Sequence, residues 1–267
     1  MLLFDSHCHF DFEIFDHDRE LVWQTCNQSG IRCLLIPGVA PDQWKIAADI
    51  VRAHAGIFIG VGLHPWWLNK SLSLDITESY LAALKRDLNE NISLERCVAI
   101  GECGLDAFIQ TPLRLQQQVL AVHLQLASET SLPLIIHCRK AHNELLAQLQ
   151  KYKLPAGGVI HAFSGSYELA MRYWLMGFRL GIGGTITYER ANKTRDAVKR
   201  LPLESILLET DAPDMPLQGK QGKRNSPECI LDIAQTLADI RSEPLEKIAA
   251  QTTLNSQTLF KIKATNV

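Results

Sequence analysis

The chain has 267 residues, 46% hydrophobic and 21% charged, with a formal net charge of -2. That balance supports a large apolar core, excludes a disordered chain, and gives no global field that would single out nucleic acid or an acidic membrane. There is no run of about 18 apolar residues, no leader-like N-terminus and no CxxC pair among the seven cysteines, so the expectation is a reduced, cytoplasmic protein with no membrane span and no evident protein partner.

Short apolar runs alternate with amphipathic stretches along the chain. LLF (2–4) precedes DRELVWQTCNQSG (18–30), whose helical period stops at Gly30. CLLIPG (33–38) precedes APDQWKIAADIVRAH (40–54), with Pro41 and Asp42 suited to a first turn. IFIGVGL (57–63) and CVAIGE (97–102) follow, then TPLRLQQQVLAVHLQLASET (111–130), with Thr111 as the expected N-cap and Pro112 as the first helical residue. PLIIH (133–137), GVIHAF (158–163), FRLGIGG (178–184) and SILLETD (205–211) complete eight runs. Helical stretches at 143–152, 166–177, 191–201 and 227–241 separate or follow them, and 243–262 reads as one or two further helices.

Continuous rather than alternating apolarity suits strands of a parallel sheet covered on both faces. Eight such strands with intervening helices predict an α/β fold, a (β/α)8 TIM-type barrel occupying 1–267 as one domain. The rival is an open doubly wound sheet, and no GxGxxG follows the first run to favour it.

In a barrel of this kind the chemistry sits at the C-terminal ends of the strands. Those ends carry His7 and His9, His64, Glu102, His137, His161, and Glu209 with Asp211. Five of the nine histidines therefore fall at strand ends, a clustering that independent core histidines have no reason to produce. His7 and His9, two residues apart, share one face, and Cys8 between them faces the layer under the helices. Cys103 and Cys138 are expected to do the same, as small buried apolar residues rather than thiolate ligands. Histidine and carboxylate without thiolate suit Zn or Mn, while an all-oxygen set would favour Mg.

The motifs LLFDSHCHFD, GLHP, AIGECGLD, IIHCR, IHAFSG, LLETDAP, GKRNSP and TTLNSQTLF occur in this order from Leu2 to Phe260. Together they resemble the successive signatures of the TatD-type metal-dependent hydrolases and deoxyribonucleases, a branch of the amidohydrolase-like barrels. The resemblance implies one or two divalent ions (Zn, Mn or Mg) and hydrolysis of phosphodiester bonds, with DNA or a small phosphoester as substrate. It also implies that His7, His9, Glu102 and Asp211 surround a first ion, and that Glu102 bridges to a second held by His137 and His161. A pair of ions roughly 3.5–4 Å apart can activate water and clamp the attacking and leaving oxygens. Asp211 is then the expected base, and Glu102 the shared catalytic carboxylate.

Substrate contacts are expected from His64, from Arg139 on the face of His137, and from Lys223 and Arg224 in the Gly-rich loop after the last strand. Asp106 and Glu209 are expected to orient ligand histidines, and Asp5 to support the first strand end. Trp66 and Trp67 could stack on a base or pack on the barrel rim, while Trp23, Trp44 and Trp174 read as core. Two loops depart from the family pattern, at 107–110 and at Asp214–Met215, and the added carboxylate of Asp214 works against a polyanion. The alternatives are hydrolysis of another ester, a lactone or an amide by the same ions, and a non-catalytic metal- or nucleic-acid-binding module.

Overall fold

The computed structural model describes residues 1–68 and 76–263. All eight apolar runs form strands: β1 (Leu3–Asp5), β2 (Ile31–Ile36), β3 (Ile57–Val61), β4 (Cys97–Asp106), β5 (Leu134–Arg139), β6 (Gly158–Ile160), β7 (Phe178–Ile182) and β8 (Ile206–Leu208). The helices are α1 (Arg19–Gln28), α2 (Pro41–Ala53), α3 (Glu78–Asn91), α4 (Leu113–Thr130), α5 (His142–Leu149), α6 (Tyr167–Leu175), α7 (Asn192–Arg200), α8 (Ile230–Arg241) and α9 (Leu245–Leu259). Strands pair in chain order from β1 to β8, each pair parallel. The seam between first and last strand is closed by Ser6 N donating to Leu208 O (2.9 Å), Asp211 N to His7 O (2.9 Å) and His9 N to Ala212 O (2.8 Å). The result is a (β/α)8 barrel.

Alternation along the strands divides the core in two. Phe4, Leu35, Phe58, Ile135, Val159 and Leu207 fill the barrel interior together with Phe260 from the end of α9. Their neighbours Leu3, Leu34, Ile59, Ile136 and Leu208 pack under the helices in a larger outer layer. Cys8 and Cys103 belong to that outer layer and are fully buried. The cysteines are all free thiols.

Four sequence expectations are corrected. Helix α3 is an addition to the expected elements; Leu81, Leu84 and Leu88 recur at helical spacing and the Thr77 hydroxyl caps it by accepting from Tyr80 N at 3.2 Å. Pro112, with ψ 138, is the cap before α4 rather than its first helical residue, and Thr111 lies outside. On α6 the inward position belongs to Tyr173, which is fully buried, and Trp174 is half-buried. Finally, β4 does not stop at Glu102. It stays paired with β5 as far as Asp106↔Arg139, with a register irregularity between Ile100 and Cys103. Gly104, at φ +151, is required there because a Cβ would collide with the His137 carbonyl. Glu102 therefore sits within a strand, at the irregularity, where such a break re-aims a side chain.

Candidate metal centre

The strand-end residues converge on Glu102. The two oxygens of this carboxylate, only 2% exposed, face different partners. Oε2 lies 3.2 Å from His7 Nε2 and 3.7 Å from His9 Nε2. Oε1 lies 3.2 Å from His137 Nδ1, 3.2 Å from His161 Nε2 and 3.4 Å from His64 Nε2. Asp211 Oδ1 completes the first side at 3.6 Å from both His7 and His9. The His7 and His161 rings stack, with centroids 3.8 Å apart.

Backbone geometry brings these groups together. His7 and His9 follow β1 in a segment held to the tail of β8 by the seam hydrogen bonds. Asp211 is in the left-handed region at φ 56, a conformation Asp tolerates at a cost of about 1–2 kcal/mol. Its side chain is thereby aimed back at the histidines.

Electrostatics couple the cluster. Burial alone would raise the Glu102 carboxyl, but the imidazoles of His161, His64 and His7 outweigh it and hold it well below the carboxylate range. Burial disfavours a charged His161, yet Glu102 and Asp211 lift it well above the usual value. Burial and then His7 hold His9 well below it. Burial raises Asp211 to about 6 against the pull of His161 and His7.

The donor set fits divalent ions. Both ring nitrogens of His7 and Nδ1 of His9 are buried without hydrogen-bond partners, an arrangement that is costly unless something else takes the lone pairs. Ligand atoms of His7, His9 and Asp211 lie within 4.8 Å of one another, as do those of His7, Glu102 and His161, and those of His64, Glu102 and His137. His64 differs chemically from the rest. Its Nδ1 accepts from Trp66 N at 3.1 Å, and burial lowers its pKa to about 3. A neutral ring that accepts at Nδ1 carries its proton on Nε2, so the atom facing Glu102 is a donor with no free lone pair.

Outer carboxylates orient the other rings. Asp106 Oδ2 lies 3.2 Å from His137 Nε2, which leaves Nδ1 turned to the centre. Burial opposes the Asp106 charge, but hydrogen bonds from His137 and Trp66 outweigh it and bring the carboxyl to about 2. Glu209 Oε1 lies 3.4 Å from His161 Nδ1 and accepts from Ala162 N. Asp5 accepts from His7 N and from Thr210, tying the two ends of the sheet.

The remaining expected substrate contacts lie outside the cleft lining. Arg139 is exposed and rests on the Phe108 ring at 4.3 Å. Lys223 is exposed. Arg224 is held by a two-point ion pair with Asp18 (2.9 and 2.6 Å) and by the Phe15 ring, so its guanidinium is committed to the loop. Three residues not singled out in the sequence matter here. Phe12 lines the cleft and stacks on His9 at 4.7 Å. Asp11 is buried with both oxygens unpartnered. His123 Nε2 accepts from Leu63 N at 3.0 Å, beside His64. None carries a local pattern, because each acts through a contact distant in sequence or through burial.

The family model for TatD-related DNases matches residues 4–261. An uncharacterized metal-dependent hydrolase of Escherichia coli, YjjV, is 39% identical over 97% of this chain and 97% of its own. Its crystal structure superposes with a TM-score of 0.90, covering 98% of each chain. The 3'-5' ssDNA/RNA exonuclease TatD of Erwinia amylovora is 33% identical, over 97% of this chain and 99% of its own. Among the described residues, no helix is long and apolar enough to cross a membrane.

Proposed function

The chain belongs to the TatD-related DNase family and is a metal-dependent hydrolase, and on that premise we propose that the bond it cleaves is the phosphodiester of a nucleic acid, DNA first. The observation that carries the proposal is the division of Glu102 between two ligand groups, one at each carboxylate oxygen. A centre built around a shared carboxylate suits in-line displacement at phosphorus, where attacking and leaving oxygens both need support. The similarity to a relative named as a single-strand exonuclease supports the same reading.

His7, His9, Glu102 and Asp211 would hold one ion and Glu102, His137 and His161 a second; when bound, these supply a water of lowered pKa and offset phosphate charge. Asp211, with its carboxyl at about 6, is ionised near neutral pH and takes the proton of the attacking water at a carboxylate oxygen. His64 donates from Nε2 to a non-bridging phosphate oxygen. Asp106 and Glu209 keep His137 and His161 in the ring orientation that faces the centre. The free thiols fit a reducing, cytoplasmic setting.

A second reading keeps the centre and changes the bond to a lactone, amide or other ester. It is favoured by the cleft lining, which among the described residues includes Asp214 and no lysine or arginine. Metal-reconstituted protein should be compared on a single-stranded oligonucleotide, a simple phosphodiester and a lactone. Turnover of the oligonucleotide is expected; turnover of the lactone alone would overturn the nuclease reading in favour of the second.

A further inference from the structure

Beside the centre stands a wall of aromatic side chains that the hydrolytic chemistry leaves unused. Trp66 is 53% exposed and Trp67 44%. Both line the cleft with Phe12. Burying such rings releases much of the free energy available to a small site, so two adjacent tryptophans left in water at a cleft are a surface awaiting cover. The wall is held in place. Trp66 Nε1 donates to Asp106 Oδ2 at 2.7 Å, and its ring and that of Trp67 stand edge-on to His64 at 5.8 and 5.7 Å. The Phe12 ring lies 6.2 Å from Trp67 while stacking on His9, one of the candidate ligands.

Two features say what covers it. The wall is continuous with the residues around Glu102, so its occupant is attached to the reacting group. Among the described residues the cleft lining holds no lysine or arginine, so what it offers a substrate beside the candidate ligands is flat aromatic faces. Resting on the nucleic-acid reading above, we infer that Trp67, with Phe12 and the anchored Trp66, forms the subsite for one unpaired nucleobase of the nucleotide joined to the scissile phosphate. A paired base would present only its edge, its faces being stacked within the duplex. Trp67 is the specificity-determining residue of this wall. Trp66 is its positioning residue, because its indole shares the Asp106 oxygen that faces His137.

The test compares two single-stranded oligonucleotides, one normal and one with an abasic tetrahydrofuran unit at the nucleotide being released. Wild-type protein, Trp67→Ala and Trp67→Phe are assayed with the same metal. Base–aromatic stacking is worth a factor of about 10–100. Wild type is therefore expected to prefer the normal strand by roughly that ratio in kcat/KM. Trp67→Ala should collapse the ratio towards one, and Trp67→Phe should restore part of it. A merely structural role for Trp67 would lower both rates together and leave the ratio unchanged, which overturns the inference. So does a wild-type enzyme that cleaves both strands equally. Failure to cleave any oligonucleotide, with a lactone turned over, overturns the nuclease reading itself and this inference with it.

Discussion

Asp5 and Thr210 join the first strand to the last: Thr210 N donates to Asp5 Oδ1 at 3.0 Å, and the Thr210 hydroxyl donates to Oδ2 at 2.5 Å. The pair sits two residues before His7 and one before Asp211, so it sets the register that brings the candidate ligands of β1 and β8 together. Burial raises the Asp5 carboxyl to about 8, against the hydrogen bonds that favour its charge. The folded chain thus keeps a proton that the unfolded chain, at the ordinary value of 3.8, releases. This contribution is fully present below about pH 4, and stability falls as pH rises towards 8, by at most about 1.4 kcal/mol per unit. In metal-free protein, Asp5→Asn should remove that slope. Urea unfolding of both proteins at pH 5.5 and 7.5 should show their stability difference shifting by about 2 kcal/mol; parallel behaviour would contradict the account.

His64 is assigned as a donor because Trp66 N occupies its Nδ1. His64→Gln should therefore keep the metal content of wild type while lowering kcat about 100–1000-fold. His161→Ala should lose ion affinity instead. Metal analysis of both variants separates the two roles, and loss of an ion in His64→Gln would make that ring a ligand.

Asp106 supports His137 and Trp66 through one oxygen. Asp106→Ala should weaken binding of the ion proposed at Glu102, His137 and His161 by about 10–100-fold, as removal of an orienting partner does elsewhere. Isothermal titration with Mn²⁺ reads this directly, and an unchanged isotherm would refute it.

A Cβ at Gly181 would strike the Glu209 carboxylate, which would have to shift. Gly181→Ala should push Glu209 off Ala162 N and away from His161, at a cost of about 1–3 kcal/mol in stability. A thermal melt within a degree of wild type would show that Glu209 moves freely.

Much of this was legible in the sequence. The eight strands declared themselves by unbroken apolar runs, and the ligand candidates by their recurrence just after those runs. Lengths were harder. Glu102 reads as a strand end because the apolar run CVAIGE closes on it, yet the strand continues, as the pairing of Cys103 to Asp106 with Ile136 to Arg139 reveals. Helix α3 is hard to read from sequence because polar residues surround its leucines. Arg224 looked like a phosphate ligand because its loop is basic and follows the last strand; its partner Asp18 lies far away in sequence, and no local pattern links them. Asp11 and His123 depend on burial, which composition does not encode position by position.

The other roles depend on one proposal, that Glu102 is shared between two ion positions that act together. It is tested by adding Mn²⁺ stepwise to metal-stripped protein and following bound metal and hydrolysis of a single-stranded oligonucleotide in the same samples. Turnover is expected to appear as the second equivalent binds, and Glu102→Ala to bind neither ion tightly and to show no turnover. Full turnover in the presence of excess chelator, or Glu102→Ala with two bound equivalents and wild-type rates, would contradict it.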